Sequence, residues 1–147
     1  KIIGLRYFNV FGKGQTGSYA GVITKFINKV IQEEAPEIFG EGNQIRDFVS
    51  VEDVVQANYL AMINNVSVRF FNIGTGKTYS ILEIAEIIIN AASLSQKPIF
   101  KEALVGDALL SKADIKLAKS VLNWEPKIDL KNWLKDEIPK IIKENKN

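Results

Sequence analysis

A chain of 147 residues that is 46% hydrophobic and 24% charged has the length and composition of one globular domain, and its net charge of +2 gives no basic footprint for a nucleic acid. It contains no cysteine and no histidine, which excludes disulfides and thiol chemistry, removes the commonest metal ligand and predicts no metal site. No apolar run approaches the roughly 18 residues of a membrane span, so we expect a cytoplasmic protein without a membrane partner.

The first third of the chain predicts a strand, a loop and a helix. Residues 2–9 have the apolar character of a strand, and a glycine-rich loop follows at 12–17. Two short extended segments come later, at 37–40 and 45–49. Between the loop and these segments, apolar side chains recur at helical spacing until Pro36 ends the helix; they are Tyr19, Val22, Ile23, Phe26, Ile27, Val30 and Ile31.

Three capping boxes predict the starts of later helices. In each box a serine oxygen and an acidic side chain three residues later can satisfy free amides at a helix N-terminus. The boxes begin at Ser50, Ser80 and Ser111 and predict helices that end near residues 63, 92 and 122. The remaining elements are a strand at 68–73, an edge-like segment at 97–101 and a last helix from about residue 130, which Pro139 is expected to kink or restart.

Strands that alternate with helices predict an α/β fold with a parallel element. Three strand–helix units are too few for a complete doubly wound sheet. The chain also opens directly on a strand, without an initiator methionine. We therefore expect a piece of a larger α/β protein.

Two glycine-rich loops have the spacing of phosphate-binding motifs without the context of such motifs. GKGQTG at 12–17 matches a dinucleotide fingerprint, but the strand before it carries Arg6 and Asn9 where a central strand is apolar. GTGKT at 74–78 matches the end of a P-loop, but Phe71 occupies the position of its first glycine. We interpret the first as a flexible loop beside another ligand and the second as a strand-to-helix turn.

Arg46 and Asp47 stand between apolar residues in an extended segment, so one of the two is expected to face inward or to line a cleft. The residues alone leave two interpretations of Arg46: an ion pair, or a planar guanidinium that clamps a phosphate. Asn9 follows the first strand, where open α/β sheets bind ligands, although an asparagine there can also simply form a turn.

A series of sequence blocks runs in order across nearly the whole chain. The most specific is IFGEGNQIRDFVSVEDV at 38–54. The others are LRYFNVFG at 5–12, GVI at 21–23, FNIGTG at 71–76, GD at 106–107, AD at 113–114 and LNWEP at 122–126. In order and spacing these blocks resemble the extended short-chain dehydrogenase/reductase family, the NAD-dependent epimerases and dehydratases. Within that family the resemblance is greatest to UDP-sugar 4-epimerases and next to dTDP-glucose dehydratases.

The resemblance implies that residues 1–147 are the C-terminal, substrate-binding portion of a Rossmann-type doubly wound protein, a few parallel strands plus a small α/β subdomain. The NAD-binding half would lie outside the chain. It also implies a role for each matched position. Asn9 and Arg46 would hold the phosphates of the nucleotide, Asp107 the ribose hydroxyls, Val22 with Glu37, Ile38 and Phe39 the uracil or thymine base, and Tyr7 and Phe8 would border the nicotinamide of NAD.

Two positions depart from the family pattern. Residues 104–107 read LVGD where the family usually has Arg-Pro-Gly-Asp, and Ser111 stands where an aromatic residue is frequent. The loss of a second arginine predicts weaker phosphate binding, or a base or sugar that differs from UDP-galactose or UDP-glucose.

The function implied by the resemblance is that of a nucleotide-sugar 4-epimerase acting on a UDP-hexose with NAD. The NAD loop and the Tyr-x-x-x-Lys pair of the family do not occur in this sequence, so we expect no catalytic residue, no tight NAD binding and no activity in the chain alone. The alternatives are a dTDP-hexose 4,6-dehydratase, another nucleotide-sugar-modifying enzyme of the family, and a non-catalytic nucleotide-sugar-binding domain. The expected partners are the nucleotide sugar, the missing N-terminal half and a second copy of the parent enzyme in a homodimer.

Overall fold

A computed structural model describes residues 2–15 and 20–145 of the chain. Four of the five strand pairings described are parallel, which confirms the α/β class with parallel strands. The helices are α1 (Val22–Ile31), α2 (Val51–Ile63), α3 (Ile81–Ala91), α4 (Lys116–Leu122) and α5 (Leu130–Asn145). The strands are β1 (Gly4–Tyr7), β2 (Asn9–Phe11), β3 (Glu37–Phe39), β4 (Ile45–Ser50), β5 (Phe70–Ile73), β6 (Thr78–Ser80), β7 (Ile99–Lys101) and β8 (Leu110–Ser111).

The single strand expected at residues 2–9 is two strands, β1 and β2. β1 pairs with β5 up to Tyr7, which lies opposite Ile73. The amide of Phe8 donates to the carbonyl of Ile73 at 2.9 Å, and from Asn9 onward the chain pairs with β4 instead. The prediction of one strand is wrong because the chain changes partner at Phe8, a change that leaves no mark in the alternation of side chains.

β4 is the central strand of its sheet. It has β2 and β8 as parallel neighbours and β6 as an antiparallel one. Neither β6 nor β8 was expected, because strands of three and two residues are too short for a recognisable alternation of polar and apolar side chains. As a result, the turn expected between β5 and α3 contains a strand.

Two apolar cores lie on opposite faces of β4. Phe48 packs into the α1–α3–α5 core, which also contains Phe11 and Ile38. Its neighbour Val49 packs into the α2–α4 core, which contains Phe71, Ile73 and the fully buried Trp124. Because successive side chains of a strand point to opposite faces, Arg46 shares a face with Phe48, and Asp47 shares a face with Val49.

The capping box at Ser80 is confirmed. The Ser80 hydroxyl accepts from the amide of Glu83 at 3.1 Å, and the Glu83 carboxylate accepts from the amide of Ser80 at 2.6 Å. The third box is only half right. Ser111 belongs to β8 and does not cap α4, but the Asp114 carboxylate accepts from the amide of Lys116, the first residue of α4, at 3.0 Å.

The box at Ser50 is half right. The buried Ser50 hydroxyl accepts from the amide of Asp53 at 3.0 Å and caps α2 as expected. The Asp53 carboxylate does not return to the amide of Ser50. It accepts from the amides of Lys127 and Ile128 at 3.0 and 3.1 Å, so it ties the start of α2 to the segment that leads into α5.

The remaining helices follow the expected pattern. α1 begins at Val22, with Gly21 as its N-cap, while Tyr19 lies outside the described residues. α5 is one helix that contains Pro139, so the expected restart at this proline is wrong. Within the described ranges, no helix combines the length and the apolar character that a membrane crossing requires.

Candidate functional site

Arg46 lies in the middle of the sheet, between β6 and β8. It is opposite Tyr79 on the antiparallel side and opposite Ser111 on the parallel side. One nitrogen of its guanidinium donates to the carbonyl of Ile45 at 2.9 Å, and its side chain is only 13% exposed. The cation is therefore held against the strand, with its outer edge directed toward the loop that precedes β8.

That loop supplies the partner of Arg46. The second terminal nitrogen of the guanidinium donates to the carboxylate of Asp107, in an ion pair whose carboxylate side chain is 32% exposed. Asp107 stands in a turn in which its amide donates to the carbonyl of Leu104 at 3.3 Å, and Gly106 adopts a left-handed conformation with φ +82°. The two residues predicted to hold the phosphate and the ribose are thus in direct contact.

Asn9 reaches β4 from the neighbouring strand. Its side-chain amide donates to the carbonyl of Asp47 at 2.9 Å, and its backbone is in register with Phe48. Paired residues of neighbouring strands point to the same face of a sheet, so Asn9 shares the face of Arg46. Asn9 and Arg46 therefore lie on one face of the sheet, and Asp107 contacts Arg46 from the loop before β8; these three residues are the candidate group.

Tyr79 contributes no negative charge to this group. Burial raises the pKa of its hydroxyl, and the negative charges of Asp129 and Glu83 raise it further. The phenol therefore stays protonated at neutral pH. Asp107 is the carboxylate that offsets the positive charge of Arg46.

Asp47, to which the sequence assigned no role, is completely buried. One carboxylate oxygen accepts from the amide and from the hydroxyl of Thr75, each at 2.8 Å. The other accepts from the amide of Gly76 at 2.8 Å and from the amide of Ala113 at 3.0 Å. The loop at 74–78 that resembles a P-loop thus does bind an anion, and the anion is a carboxylate of the same chain.

The residues predicted to hold the base belong to other elements. Val22 is the first residue of α1 and packs against the α1–α3–α5 core. Ile38 is buried in the same core, so only its backbone is available to a ligand, whereas the side chain of Phe39 is 42% exposed. Glu37 lies 3.5 Å from the ammonium of Lys29. Val22 and Ile38 thus share the α1–α3–α5 core with Phe48, which lies on the same face of β4 as Arg46.

Tyr7 and Phe8 line a separate open cleft of about 470 Å³ with Arg6, Asn9, Asn72 and Ser111. The Tyr7 hydroxyl donates to the side-chain carbonyl of Asn58 on α2 at 2.9 Å. Asn72 is fixed by its own bond to the carbonyl of Asp114 at 3.1 Å. Ser111 belongs to this cleft and also lies opposite Arg46 in the sheet, so the two sites share a residue.

The described residues do not fit a complete NAD molecule. A side chain at Gly12 would place its Cβ 2.5 Å from a methyl group of Val51, so this glycine allows α2 to approach the loop closely. The Gln15 carbonyl accepts from the amide of Gly21 at 3.3 Å and from the Thr24 hydroxyl at 2.8 Å, which occupies the start of α1. Thr16 and Gly17 of the motif lie outside the described residues. The cleft beside Tyr7 and Phe8 is where the family resemblance would put the nicotinamide, and it is open among the described residues.

The first half of the chain carries the pattern of a known family. Residues 1–74, about half of the chain, match the NAD dependent epimerase/dehydratase family. The chain belongs to this family.

The relatives of this family member are enzymes that act on UDP-sugars. It is 42% identical, over 90% of its length, to a putative UDP-glucose 4-epimerase of Methanocaldococcus jannaschii, and 32% identical, over 97% of its length, to UDP-glucuronic acid decarboxylase 1 of Arabidopsis thaliana. The chain spans 45% and 32% of these two relatives, less than half of each.

The fold agrees with that of a solved family member. The structure of UDP-glucose 4-epimerase from Thermotoga maritima with UDP-glucose superposes with a TM-score of 0.88 and 36% sequence identity. The superposition covers 95% of this chain and 45% of that structure. The Rossmann-type assignment is therefore confirmed.

Proposed function

We propose that this chain forms the nucleotide-sugar groove of a NAD-dependent enzyme whose cofactor-binding half lies outside residues 1–147. We further propose that the substrate is a UDP-hexose and the reaction is epimerisation at C4. The observation that carries the proposal is the partly exposed ion pair of Arg46 and Asp107, with Asn9 on the same face of the sheet as Arg46. A cation held in this way, beside an amide donor and an open cleft, suits a diphosphate.

In the proposed complex each group contacts one part of the ligand. The guanidinium of Arg46 and the amide of Asn9 bind the diphosphate, and Asp107 accepts from the ribose hydroxyls. The base lies against Val22 and the backbone of β3. Tyr7 and Phe8 border the nicotinamide. When the ligand binds, Arg46 exchanges part of its bond to Asp107 for bonds to phosphate oxygens, which is possible because the Asp107 side of the pair is partly exposed.

The surface of the chain supports a covalently attached partner half. α2 presents five apolar side chains to solvent at helical spacing, and Met62 is 76% exposed. Among the described strands, β1 pairs with β5 alone. A stripe of this kind beside an unpaired strand edge is typical of a face that is covered in the assembled protein. The residues of the stripe are Val51, Val55, Tyr59, Met62 and Ile63.

A second candidate is a different reaction on the same class of substrate. The similarity to UDP-glucuronic acid decarboxylase 1 favours it, because that relative is a decarboxylase rather than an epimerase. The groove proposed here holds the nucleotide and leaves the chemistry at the sugar to the other half. The sequence of that half would distinguish an epimerase from a decarboxylase or a dTDP-hexose dehydratase.

Calorimetry with the 147-residue chain tests the groove. We expect UDP and UDP-glucose to bind and adenosine diphosphate to bind more weakly, since the proposed base pocket is one for a pyrimidine. We expect NAD to bind no more tightly than about 10 μM. Incubation with NAD and UDP-glucose should produce no UDP-galactose. Equal binding of the two nucleotides would remove the base pocket from the proposal, and turnover above the uncatalysed background would overturn the division into two halves.

A further inference from the structure

Asp47 is fully buried, and its charge is offset by hydrogen bonds alone within the described residues. Its carboxylate accepts four bonds, about the number that its two oxygens can take. A buried carboxylate is costly unless every lone pair is satisfied. The four donors must therefore keep their positions as long as Asp47 is ionised.

These donors belong to the two segments that flank Arg46. Thr75 and Gly76 lead directly into β6, whose Tyr79 lies opposite Arg46. Ala113 follows β8, whose Ser111 lies opposite Arg46 on the other side. β8 has only two residues, so its own ladder to β4 is weak, and the bond from Ala113 to Asp47 holds its far end. One carboxylate thus fastens both neighbours of Arg46 to β4.

Asp47 is also connected to Asn9 and to the loop that contains Asp107. The backbone carbonyl of Asp47 accepts from Asn9 at 2.9 Å. Asp107 lies in the loop that runs into β8, and the carbonyl of Leu109 in this loop accepts from the amide of Ile45 at 2.8 Å. A shift of β8 along β4 would carry Asp107 away from Arg46.

We propose that Asp47 is a positioning residue of the nucleotide groove. Its carboxylate, in the cradle formed by Thr75, Gly76 and Ala113, fixes β8 and β6 against β4 and so sets the distance between Arg46 and Asp107. The identity of the ligand, a nucleoside diphosphate, rests on the proposed function. The positioning of Arg46 by Asp47 does not depend on it. Asp47 itself does not contact the ligand and acts through Arg46.

Asp47→Asn is the direct test, because the amide keeps the shape of the carboxylate but turns an NH₂ group toward the N–H donors. Asp53→Asn is a matched control. Asp53 is also a buried aspartate, 5% exposed, whose carboxylate accepts two backbone amides, but those amides lead into α5 and not to the groove. Both variants lose stability, so each is compared with the other as well as with the unchanged chain.

Hydrogen exchange in the absence of a ligand tests whether Asp47 holds β8 against β4. In Asp47→Asn the amide of Ala113 should exchange at least about tenfold faster, because it loses a bond to a charged acceptor. The amide of Ile45, which donates to the carbonyl of Leu109 in the loop before β8, should also exchange faster, because β8 is no longer held at its far end. In Asp53→Asn these amides should stay protected, and those of Lys127 and Ile128 should exchange faster instead. Unchanged protection of Ile45 and Ala113 in Asp47→Asn overturns the proposal.

The affinity of each variant for UDP tests whether Asp47 affects the nucleotide groove. Asp47→Asn should weaken UDP binding about tenfold, and Asp53→Asn less than about twofold. In an Arg46→Ala background the Asp47→Asn change should cost clearly less than it does in the unchanged chain, because part of its effect acts through Arg46. Additive losses overturn the proposal. If the unchanged chain binds no UDP but the exchange pattern is as expected, the proposed function fails and the positioning of Arg46 by Asp47 stands.

Discussion

Arg46 and Asp107 lie 61 positions apart in the sequence, and the guanidinium of the first donates to the carboxylate of the second. The two interpretations of Arg46 that its sequence context leaves open, an ion pair and a phosphate clamp, are therefore compatible with one geometry. The pair is partly exposed, with Asp107 the more accessible partner. An approaching diphosphate competes with Asp107 for the same cation, and this competition makes the pair testable.

Replacing Arg46 separates binding from stability. In Arg46→Ala, UDP-glucose binding should weaken by about 1.5–3 kcal/mol, the range for a hydrogen bond to a charged group. Unfolding free energy should fall by less, about 1 kcal/mol, because the freed Asp107 can hydrate. Arg46→Lys should recover part of the binding, since an ammonium keeps the charge but loses the planar fork. Calorimetry and urea unfolding of the three proteins provide both quantities.

The contrary result is a stability loss of several kcal/mol with unchanged affinity for UDP-glucose. That combination is typical of a buried pair whose remaining charge is left uncompensated. It would remove Arg46 from the groove. Leu104 already stands where the family usually has a second arginine, so little positive charge would then remain to hold a diphosphate.

Asp107→Asn should change the affinities for two ligands in opposite directions. Inorganic pyrophosphate should bind more tightly, because Arg46 no longer exchanges its charged partner for the anion. UDP should bind more weakly, because the ribose hydroxyls lose a charged acceptor. Competition titrations at one ionic strength measure both affinities. Tighter binding of both ligands would show that Asp107 only competes for Arg46 and does not contact the ribose.

The ion pairs of Glu137 give the fold a specific pH dependence. Hydrogen bonds from Lys13 and then Lys140 hold the pKa of Glu137 below its ordinary value of 4.5, and the bond to Glu137 raises the pKa of Lys13 above 10.5. The unfolded chain therefore binds the proton of Glu137 more tightly than the folded chain does. The stabilisation is present above pH 4.5 and is lost as the pH falls through the lower folded pKa.

Glu137→Gln tests this dependence. The unfolding free energy of the unchanged chain should exceed that of Glu137→Gln by a constant amount between about pH 6 and pH 9. This excess should shrink below pH 4.5 and again above pH 10.5. Glu86→Gln, on the exposed side of α3, is the control, since it removes a carboxylate that forms no ion pair within the described residues. Urea unfolding at each pH measures the difference. The same profile for both variants would mean that the ion pairs contribute nothing specific.

Local signals explain which elements could be predicted from the sequence. The box at Ser80 succeeds because its donors and acceptors lie within three residues of each other. The box at Ser111 has the same spacing, but its serine does not cap α4, because pairing with Arg46 draws Ser111 into β8. Tertiary contact overrides a local preference whenever the strand gains more from pairing than the helix gains from a cap.

The family resemblance names members for the candidate site, but the sequence does not show how they are arranged. Family resemblance selected Arg46 and Asp107, but only the fold shows that they touch. Asp47 was missed because its donors come from 28 and 66 positions away, and nothing in an Arg-Asp dipeptide indicates which of the two residues is buried. The glycine-rich loop at 74–78 was the one available signal. It lacks the context of a phosphate-binding loop, but the amides of such a loop can also bind a carboxylate.

There is no space for a side chain at Gly74, beside the four donors that bind the Asp47 carboxylate. Gly74→Ala should therefore destabilise the fold. A Cβ there would lie 2.5 Å from the Cβ of Ala113 and 3.1 Å from a carboxylate oxygen of Asp47. Neither neighbour can move easily, because Ala113 is buried and Asp47 is held by four donors. The overlap should cost about 3 kcal/mol of unfolding free energy.

Gly14→Ala is the matched comparison. Gly14 has a left-handed φ of +86°, but among the described residues no atom lies within 4 Å of the position that a Cβ would take. That variant should lose only the backbone strain, about 1 kcal/mol. Urea unfolding followed by tryptophan fluorescence measures both variants, since Trp124 lies in the α2–α4 core and Trp133 packs against the α1–α3–α5 core. Equal losses in the two variants would mean that the chain around Gly74 relaxes, and that Asp47 is held less firmly than its four hydrogen bonds indicate.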